Sequence, residues 1–340
     1  MESKTSEYEI RKEKLTKLRE LGIDPYPPKT SRTHHIGKVL EDFNALEKDE
    51  ETITIAGRIK GFRGHGGSSF AHIEDGEGKM QAYFKKDEVG EDQYKIIKNL
   101  IDVGDFIEIT GTPFVTKAGE KSVLAKSFSI LTKTLRPLPE KWSGLSNAEI
   151  RFRKRYLDLI MNDESRKIFQ KRSEIIKKIR GFLDENGFME VETPILQPLY
   201  GGASAKPFIT HLNALKMDLY LRIACELYLK RLLVGGFNRV YEFARSFRNE
   251  GMDREHNPDF TMLEFYWAYA DYKDMMKLTE ELISFVVQKV AGEKEIEYEG
   301  KKINFKTPWP RVEYAELFKK HLKLDIDALS KEALMKEAKR

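Results

Sequence analysis

The chain has 340 residues, 40% of them hydrophobic and 34% charged, with 59 basic and 55 acidic residues and a formal net charge of +4. That length suffices for about two cores, no apolar run is long enough to span a membrane, and the polar start MESKTSEYEIRKEK is not expected to be a secretory signal. A single cysteine, Cys225, excludes an intrachain disulfide and a cysteine-rich metal site and fits a reducing, cytoplasmic setting; so small a charge excess means that any RNA contact rests on local patches and specific contacts, not on a basic field.

Residues 5–22 read as an amphipathic helix, with Tyr8, Leu15, Leu18 and Leu21 at near-helical spacing. Gly22 and the prolines at 25, 27 and 28 stop it. Residues 52–132 read as short strands: TITIAGRI, then SSFAHIED and KMQAYF as a hairpin around Gly76-Glu77-Gly78, then DFIEITGTPF and SVLAKSFSIL split by a turn at 117–121. With a polar, helical piece at 86–100 between them, five strands and one helix suggest a small closed barrel, of OB type or another. Such barrels bind single strands by stacking bases on aromatic rings. Phe70 is a candidate platform, and Gln81 carries both a donor and an acceptor for a base edge, although a core ring and a solvated amide are the plainer reading of the spacing. Residues 133–150, with Pro137 and Pro139, read as a connector. RFRKRYLDLI follows, with four basic residues in five positions: a solvated helix start or an RNA-backbone contact.

Residues 164–186 form an amphipathic helix with Ile168, Phe169, Ile175, Ile176, Ile179, Phe182 and Leu183 on one stripe, stopped by Asn186-Gly187. FMEVETPIL is a strand interrupted by Pro194. YGGASAKPF is a small-residue loop, and LYLRIACELYLKRLLVG a strand passing into a helix near Glu226. The central stretch is 239–267. Tyr241, Phe243 and Phe247 oppose Glu242, Ala244, Ser246 and Arg248; after a charged loop, Thr261, Leu263, Phe265 and Trp267 oppose Phe260, Met262, Glu264 and Tyr266. Period two gives each strand one apolar face and one face of functional groups. An arginine fork can grip a carboxylate and a phosphate together, and carboxylates beside a phenol can hold a cation; a plain exposed hairpin is the alternative. A helix at 269–290, a hairpin pivoting on Gly300 and two further helical segments complete the chain.

FRNEG followed by HNPDFTMLE resembles motif 2 of the class II aminoacyl-tRNA synthetases, and closely that of the bacterial-type lysyl-tRNA synthetases. The likeness runs from about residue 10 to Arg340. It implies an α+β protein: a helical extension at 1–50, an OB-fold anticodon-binding barrel at 51–135, a linker at 136–150, and at 151–340 the first part of a class II catalytic domain, an antiparallel sheet with flanking helices. The helix at 164–186 with its following strand resembles motif 1, which implies a homodimer. Nothing after Tyr266 resembles motif 3, so the chain is expected to be truncated and weakly active alone, with its magnesium ligands in the part beyond.

The resemblance further implies ATP-dependent attachment of L-lysine to tRNA(Lys) through lysyl-adenylate, with ATP and Mg2+ and no membrane. Carried over position by position, Arg248 would bridge the lysine carboxylate and the α-phosphate, Glu250 and His256 would lie around ATP, and Phe260 would stack on adenine. Gly202 would bear on the bound lysine, Glu226 would hold its α-amino group, and Glu264 and Tyr266 would meet its ε-ammonium. In the barrel, Phe70 and Gln81 match the stacking and uridine-reading positions, with Arg58 and Glu120 at further anticodon contacts. Cys225 stands where many of these enzymes have proline. The rivals are an aspartyl- or asparaginyl-tRNA synthetase, whose pocket should present a cation, and a non-catalytic tRNA-binding or regulatory paralogue.

Overall fold

Cap chemistry and strand alternation produce the expected N-terminal half in the computed structural model, which describes residues 6–139, 145 and 147–338. Packing divides the chain into two units, Met1–Asn162 and Asp163–Arg340. Helix α1 (Glu7–Glu20) opens on Ser6, whose hydroxyl accepts from the Glu9 N–H; acids occupy its first turn and Lys17 and Arg19 its last, in keeping with the helix dipole. Two short helices that the sequence pattern did not resolve, α2 (Ile36–Glu41) and α3 (Phe43–Lys48), follow.

Strands β1 (Ile53–His65), β2 (Ser68–Glu74), β3 (Lys79–Lys85), β4 (Phe106–Val115) and β5 (Lys121–Thr132) close into a barrel in the order β1-β2-β3-β5-β4, the closed barrel the strand pattern suggested and the OB arrangement the resemblance implied. β1 runs further than expected, through an irregularity between Ile59 and Gly61 that lets it bend and stay paired with β2. The single helix expected after β3 is two, α4 (Lys86–Val89) and α5 (Glu91–Asn99), broken at Gly90. Ile53, Ile55, Ile73, Ala82, Phe84, Ile107 and Val123 fill the interior, sealed by Leu18, Val39 and Phe43 from the preceding helices. At Gly111 a Cβ would lie 2.0 Å from the Leu124 carbonyl, so only glycine lets β4 and β5 approach there.

The connector is tied to this barrel at its start. Lys133 Nζ, fully buried, donates to Asp102 at 2.5 Å and to the equally buried Asp105 at 2.6 Å, and Lys14 reaches Asp102 from α1 at 2.5 Å. Residues 140–144 and 146 of the connector lie outside the described residues. The basic segment after it forms α6 (Ala148–Arg153) and α7 (Arg155–Met161), in the first unit, where buried Asp158 accepts from Arg151 at 2.8 Å and also from Arg155.

In the second unit α8 (Asp163–Glu185) matches the expected amphipathic helix. FMEVETPIL is not one interrupted strand but two two-residue strands in different sheets, β6 (Met189–Glu190) and β7 (Leu196–Gln197), because Pro194 between them has no N–H for a ladder. β8 (Ile209–Leu212) and β9 (Met217–Leu221) join β7, and α9 (Glu226–Val234) leads to the central hairpin, β10 (Arg239–Phe247) and β11 (Asp259–Trp267). β10 and β11 pair antiparallel in register from Arg239↔Trp267 to Phe247↔Asp259, with β6 parallel on the other edge of β10. Helix α10 (Tyr272–Ala291) starts with a reciprocal capping box between Asp271 and Asp274. The small hairpin β12 (Glu295–Tyr298) and β13 (Lys301–Asn304), then α11 (Tyr314–Leu322) and α12 (Lys331–Glu337), complete the unit.

The lysine–aspartate cluster gives a direct test of the barrel. Lys133→Met leaves Asp105 buried without its counter-charge, which should cost about 3–5 kcal/mol. The urea midpoint of the barrel transition, followed by circular dichroism, should fall accordingly; an unchanged midpoint would show that the cluster is not part of the fold's stability.

Candidate active site and nucleic-acid interface

Directly opposed residues of an antiparallel pair share a face, and the β10–β11 register sorts the hairpin as its alternation predicted. Tyr241, Phe243, Leu263, Phe265 and Trp267 pack with Phe182 and Leu183 of α8 and with Leu278, Leu282 and Val286 of α10. On the opposite face Val240 and Ala244 pack with Cys225 and Leu229 at the head of α9, and Tyr266 lies against them. That second face carries the polar side chains: Glu242 opposite Glu264, Ser246 opposite Phe260, and Val240 opposite Tyr266.

Glu264 and Tyr266 meet as expected, the Tyr266 hydroxyl donating to Glu264 Oε2 at 3.0 Å. Burial, and then the carboxylates of Glu264 and Glu226, push the Tyr266 phenol well above its ordinary range, so it stays a donor. Glu226, the first residue of α9, accepts from Lys230 at 2.6 Å. Gly202 packs on it: with φ at +85°, a Cβ there would lie 2.8 Å from Glu226 Cβ and 3.1 Å from Ala224 Cβ, so the loop sits close because it has no side chain. The structure thus brings Gly202, Glu226, Glu264 and Tyr266 into one neighbourhood.

Sequence reasoning assigned no role to the buried pair beside them. Arg222 Nη1 donates to Glu242 Oε1 at 2.5 Å and to the Thr193 carbonyl at 3.0 Å, Arg222 Nε donates to the Arg245 carbonyl at 2.8 Å, and the Thr193 hydroxyl donates to Glu242 Oε2 at 2.7 Å. These groups are 20 or more residues apart in sequence; the only signal available was that Glu242 falls on the functional face of β10. Cys225, the N-cap of α9, is buried, and burial followed by the fields of Glu264 and Glu242 pushes its thiol far up.

At the loop end of the hairpin, Arg248 donates its backbone N–H to the Pro258 carbonyl at 2.8 Å, and its guanidinium lies 5.1 Å from the Phe260 ring centroid. Its Nε and the hydroxyl of Ser246 are buried without a hydrogen-bond partner among the described residues. A buried donor left unpaired is costly, and two of them at the foot of an arginine fork mark a place built for an anionic or hydrogen-bonding ligand. The loop is tied down locally: Glu250 accepts from the Lys206 N–H at 3.2 Å, Asn249 donates to the Lys206 carbonyl at 2.7 Å, and the exposed His256 pairs with Asp253 at 2.8 Å. Glu250 therefore faces the loop that carries Gly202, whereas His256, among the described residues, engages its own turn. No group of three His, Cys, Asp or Glu among the described residues could hold a metal ion.

The barrel carries its own groove of about 1050 Å3, lined by Phe70, Gln81 and Glu120 and also by Arg63, Tyr83 and Phe114. Phe70 stacks on its cross-strand partner Tyr83 with ring centroids 4.4 Å apart and planes 10° apart, and Phe114 follows at 5.9 Å. Tyr83 was legible in KMQAYF, two residues from Gln81 and so on its face; Phe114 was not, because only barrel closure brings β4 alongside. Arg58 is not brought to the groove: its guanidinium lies over Phe106 at 4.2 Å and donates to the Gly104 carbonyl at 3.0 Å, and burial lowers its pKa.

Residues 147–339 match the family described as tRNA synthetases class II (D, K and N), and residues 53–131 match the OB-fold nucleic acid binding domain. The chain is 57% identical over 303 residues to the lysine-tRNA ligase of Carboxydothermus hydrogenoformans, covering 89% of this chain and 62% of that protein. It is 54% identical over 320 residues to that of Pelotomaculum thermopropionicum, covering 94% and 63%, and 54% identical over 300 residues to that of a Roseiflexus species, covering 88% and 61%. It spans less than two thirds of the length of these curated relatives.

The burial of Cys225 predicts its chemistry. Iodoacetamide at pH 8 should leave the folded protein unmodified and label Cys225 fully once guanidinium unfolds it; rapid labelling of the folded protein, read by mass spectrometry, would contradict the packing described for α9.

Proposed function

The chain belongs to the class II tRNA synthetases (D, K and N), and from that premise we propose that it is the anticodon-reading barrel and the motif 1 and 2 region of a lysine-tRNA ligase. The observation that carries this reading is the charge on the functional face of β10–β11. Glu226, Glu242 and Glu264 act on Tyr266 and Cys225 there; of the cations beside them, Arg222 is held by Glu242 and two backbone carbonyls and Lys230 by Glu226. An unpaired buried ion is very costly, so this face suits a substrate with a cationic tail. An aspartate or asparagine pocket would need a free donor at that place, and Arg222 is already engaged.

In this reading Glu264 and Tyr266 receive the ε-ammonium of L-lysine, Glu226 its α-amino group past the bare backbone of Gly202, and Arg248 bridges its carboxylate and the α-phosphate of ATP. The orphaned Nε of Arg248 supports a bound anion at this point. Phe260 offers a ring for adenine, and Glu250 and His256 stand around the nucleotide. A lysine carboxylate oxygen bonds to the α-phosphorus as the bond to the bridging oxygen breaks, giving lysyl-adenylate and pyrophosphate. The 3′-terminal adenosine hydroxyl of tRNA(Lys) then takes the lysyl group and AMP leaves. Two anions meet in the first step, so catalysis depends on positioning and charge stabilisation by Arg248. Magnesium belongs with ATP in such chemistry; no group of three His, Cys, Asp or Glu among the described residues could hold it, and one or two carboxylates together with the phosphates would be its ligands.

Phe70 would stack an anticodon base, with Gln81 and Glu120 at its edge; a role for Arg58 rests on the resemblance alone. Ile168, Phe169 and Ile175 stay exposed on α8, as do Leu196 and Leu199 nearby in sequence; they support a homodimer through the motif 1 region. No helix among the described residues is long and apolar enough to cross a membrane, and the reading places the protein in the cytoplasm.

The two halves separate by mutation. In the whole gene product Arg248→Ala should lower lysine-dependent ATP–pyrophosphate exchange by about 100- to 1000-fold with tRNA affinity unchanged; exchange at the wild-type rate would end the assignment of motif 2. Phe70→Ala should do the reverse, weakening tRNA binding by about 1–3 kcal/mol with lysine activation intact, and undiminished tRNA affinity would remove the anticodon role.

A further inference from the structure

Arg222 stands at the joint between the two three-stranded sheets of the second unit. Strand β6 pairs with β10 at Val240 and Tyr241, and no strand among the described residues continues along that edge of β10. Arg222 occupies the edge instead. Its carbonyl accepts from the Phe247 N–H at 2.9 Å, and its Nε donates to the Arg245 carbonyl at 2.8 Å. In the other direction it grips the segment between β6 and β7. The Arg222 N–H donates to the Ile195 carbonyl at 2.9 Å, and Nη1 donates to the Thr193 carbonyl at 3.0 Å. By main chain and side chain together, this residue stitches β7-β9-β8 to β11-β10-β6.

A buried guanidinium needs a counter-charge, and Glu242 supplies it at 2.5 Å. The Thr193 hydroxyl completes the clasp, accepting from Nη1 at 3.1 Å and donating to Glu242 Oε2 at 2.7 Å. Only a planar fork serves carbonyls on two segments and a carboxylate at once; an ammonium is a point charge. A buried ion pair adds little stability over an apolar pair of the same volume. What this pair adds is direction. The residues at either end of it are those the proposed reaction uses. Arg248 follows Phe247 directly. Glu226 follows Arg222 after Ile223, Ala224 and Cys225, all of them buried, and opens α9. Both paths from the clasp to the site are short and packed.

We propose that Arg222, held by Glu242, is a positioning residue for adenylate formation: it fixes the spacing between Glu226 and Arg248, and so between the amino and carboxylate ends of the bound amino acid. The inference deepens the lysine-ligase reading above and rests on it. Those two ends are common to every amino acid, so the clasp takes no part in choosing the side chain, which falls to Glu264 and Tyr266. It acts on the step itself. Attack of the carboxylate oxygen on the α-phosphorus depends on where Arg248 holds the carboxylate while Glu226 holds the amine, and a misplacement of about 1 Å costs about 100-fold in rate.

The test is lysine-dependent ATP–pyrophosphate exchange by the whole gene product, with kcat and the KM for lysine resolved. Arg222→Lys keeps a charge beside Glu242 but cannot span both segments. Its kcat should fall about 100-fold with the KM for lysine little changed, so that kcat and kcat/KM drop together. The double variant Arg222→Met with Glu242→Leu leaves no buried ion unpaired and should fold, yet should lose kcat to the same extent. Glu264→Gln should act mainly on the KM for lysine, raising it about tenfold or more. Wild-type kcat in either Arg222 variant, or a change confined to KM, would overturn the positioning role. Loss of the near-ultraviolet circular dichroism of both variants would overturn it too, since the clasp would then be a requirement of the fold. In each of these cases a raised KM in Glu264→Gln leaves the lysine-ligase reading standing. Absence of lysine-dependent exchange in the wild type would remove the reading and the inference together.

Discussion

The period of two along β10 and β11 is the constraint on which the second unit depends. Nine consecutive pairs hold the strands in one register. Their apolar face is committed to α8 and α10, and the other face to Glu242, Ser246, Glu264 and Tyr266. A slip of one residue would exchange the two faces. It would drive Glu242 and Glu264 into the aromatic core and turn Tyr241 and Phe265 onto the polar face. Because burying an unpaired carboxylate costs far more than any hairpin turn can return, the core and the site fix the same register. The polar face is therefore as well determined as the apolar one, although few of its residues contribute to packing.

The barrel obeys the same rule with a different outcome. Ile73, Ala82, Phe84 and Val123 point inward, and the residues between them, Phe70, His72, Gln81 and Tyr83, form a row across the outside. Inward packing sets the strand order, and strand order sets which outer side chains meet. The stacked pair Phe70–Tyr83 and the hydrogen-bonded row from His72 through Glu120 and Gln81 to Ser122 are consequences of closure. Groups held this way would need little reorganisation on meeting a ligand.

What was legible in the sequence follows from the range of the forces involved. The stripe from Ile168 to Leu183 and the alternation at 239–267 are local periodicities, and they fixed α8 and both faces of the hairpin. The breaking of FMEVETPIL into strands of two sheets could not be read, because it depends on which neighbours β6 and β7 find, although Pro194 marked the place. The helices at 36–41 and 43–48 are too short to show a period. In the site, Glu264 and Tyr266 are neighbours on one strand and were readable as a pair; Arg222 and Glu242 are joined only by the fold. The resemblance placed Phe70 and Gln81, but the network that orients Gln81 depends on a parallel β3–β5 seam that no spacing reveals, and Arg58 points to Phe106 and not to the groove.

The carboxylates of Glu226, Glu242 and Glu264 beside the β10–β11 face carry the proposal that the substrate is a cationic amino acid. The most direct test is amino-acid-dependent ATP–pyrophosphate exchange by the wild-type gene product, with lysine, aspartate and asparagine compared in parallel. Selection by that charge predicts exchange with lysine and none above background with the other two. Exchange with aspartate or asparagine at a rate equal to that with lysine would contradict it.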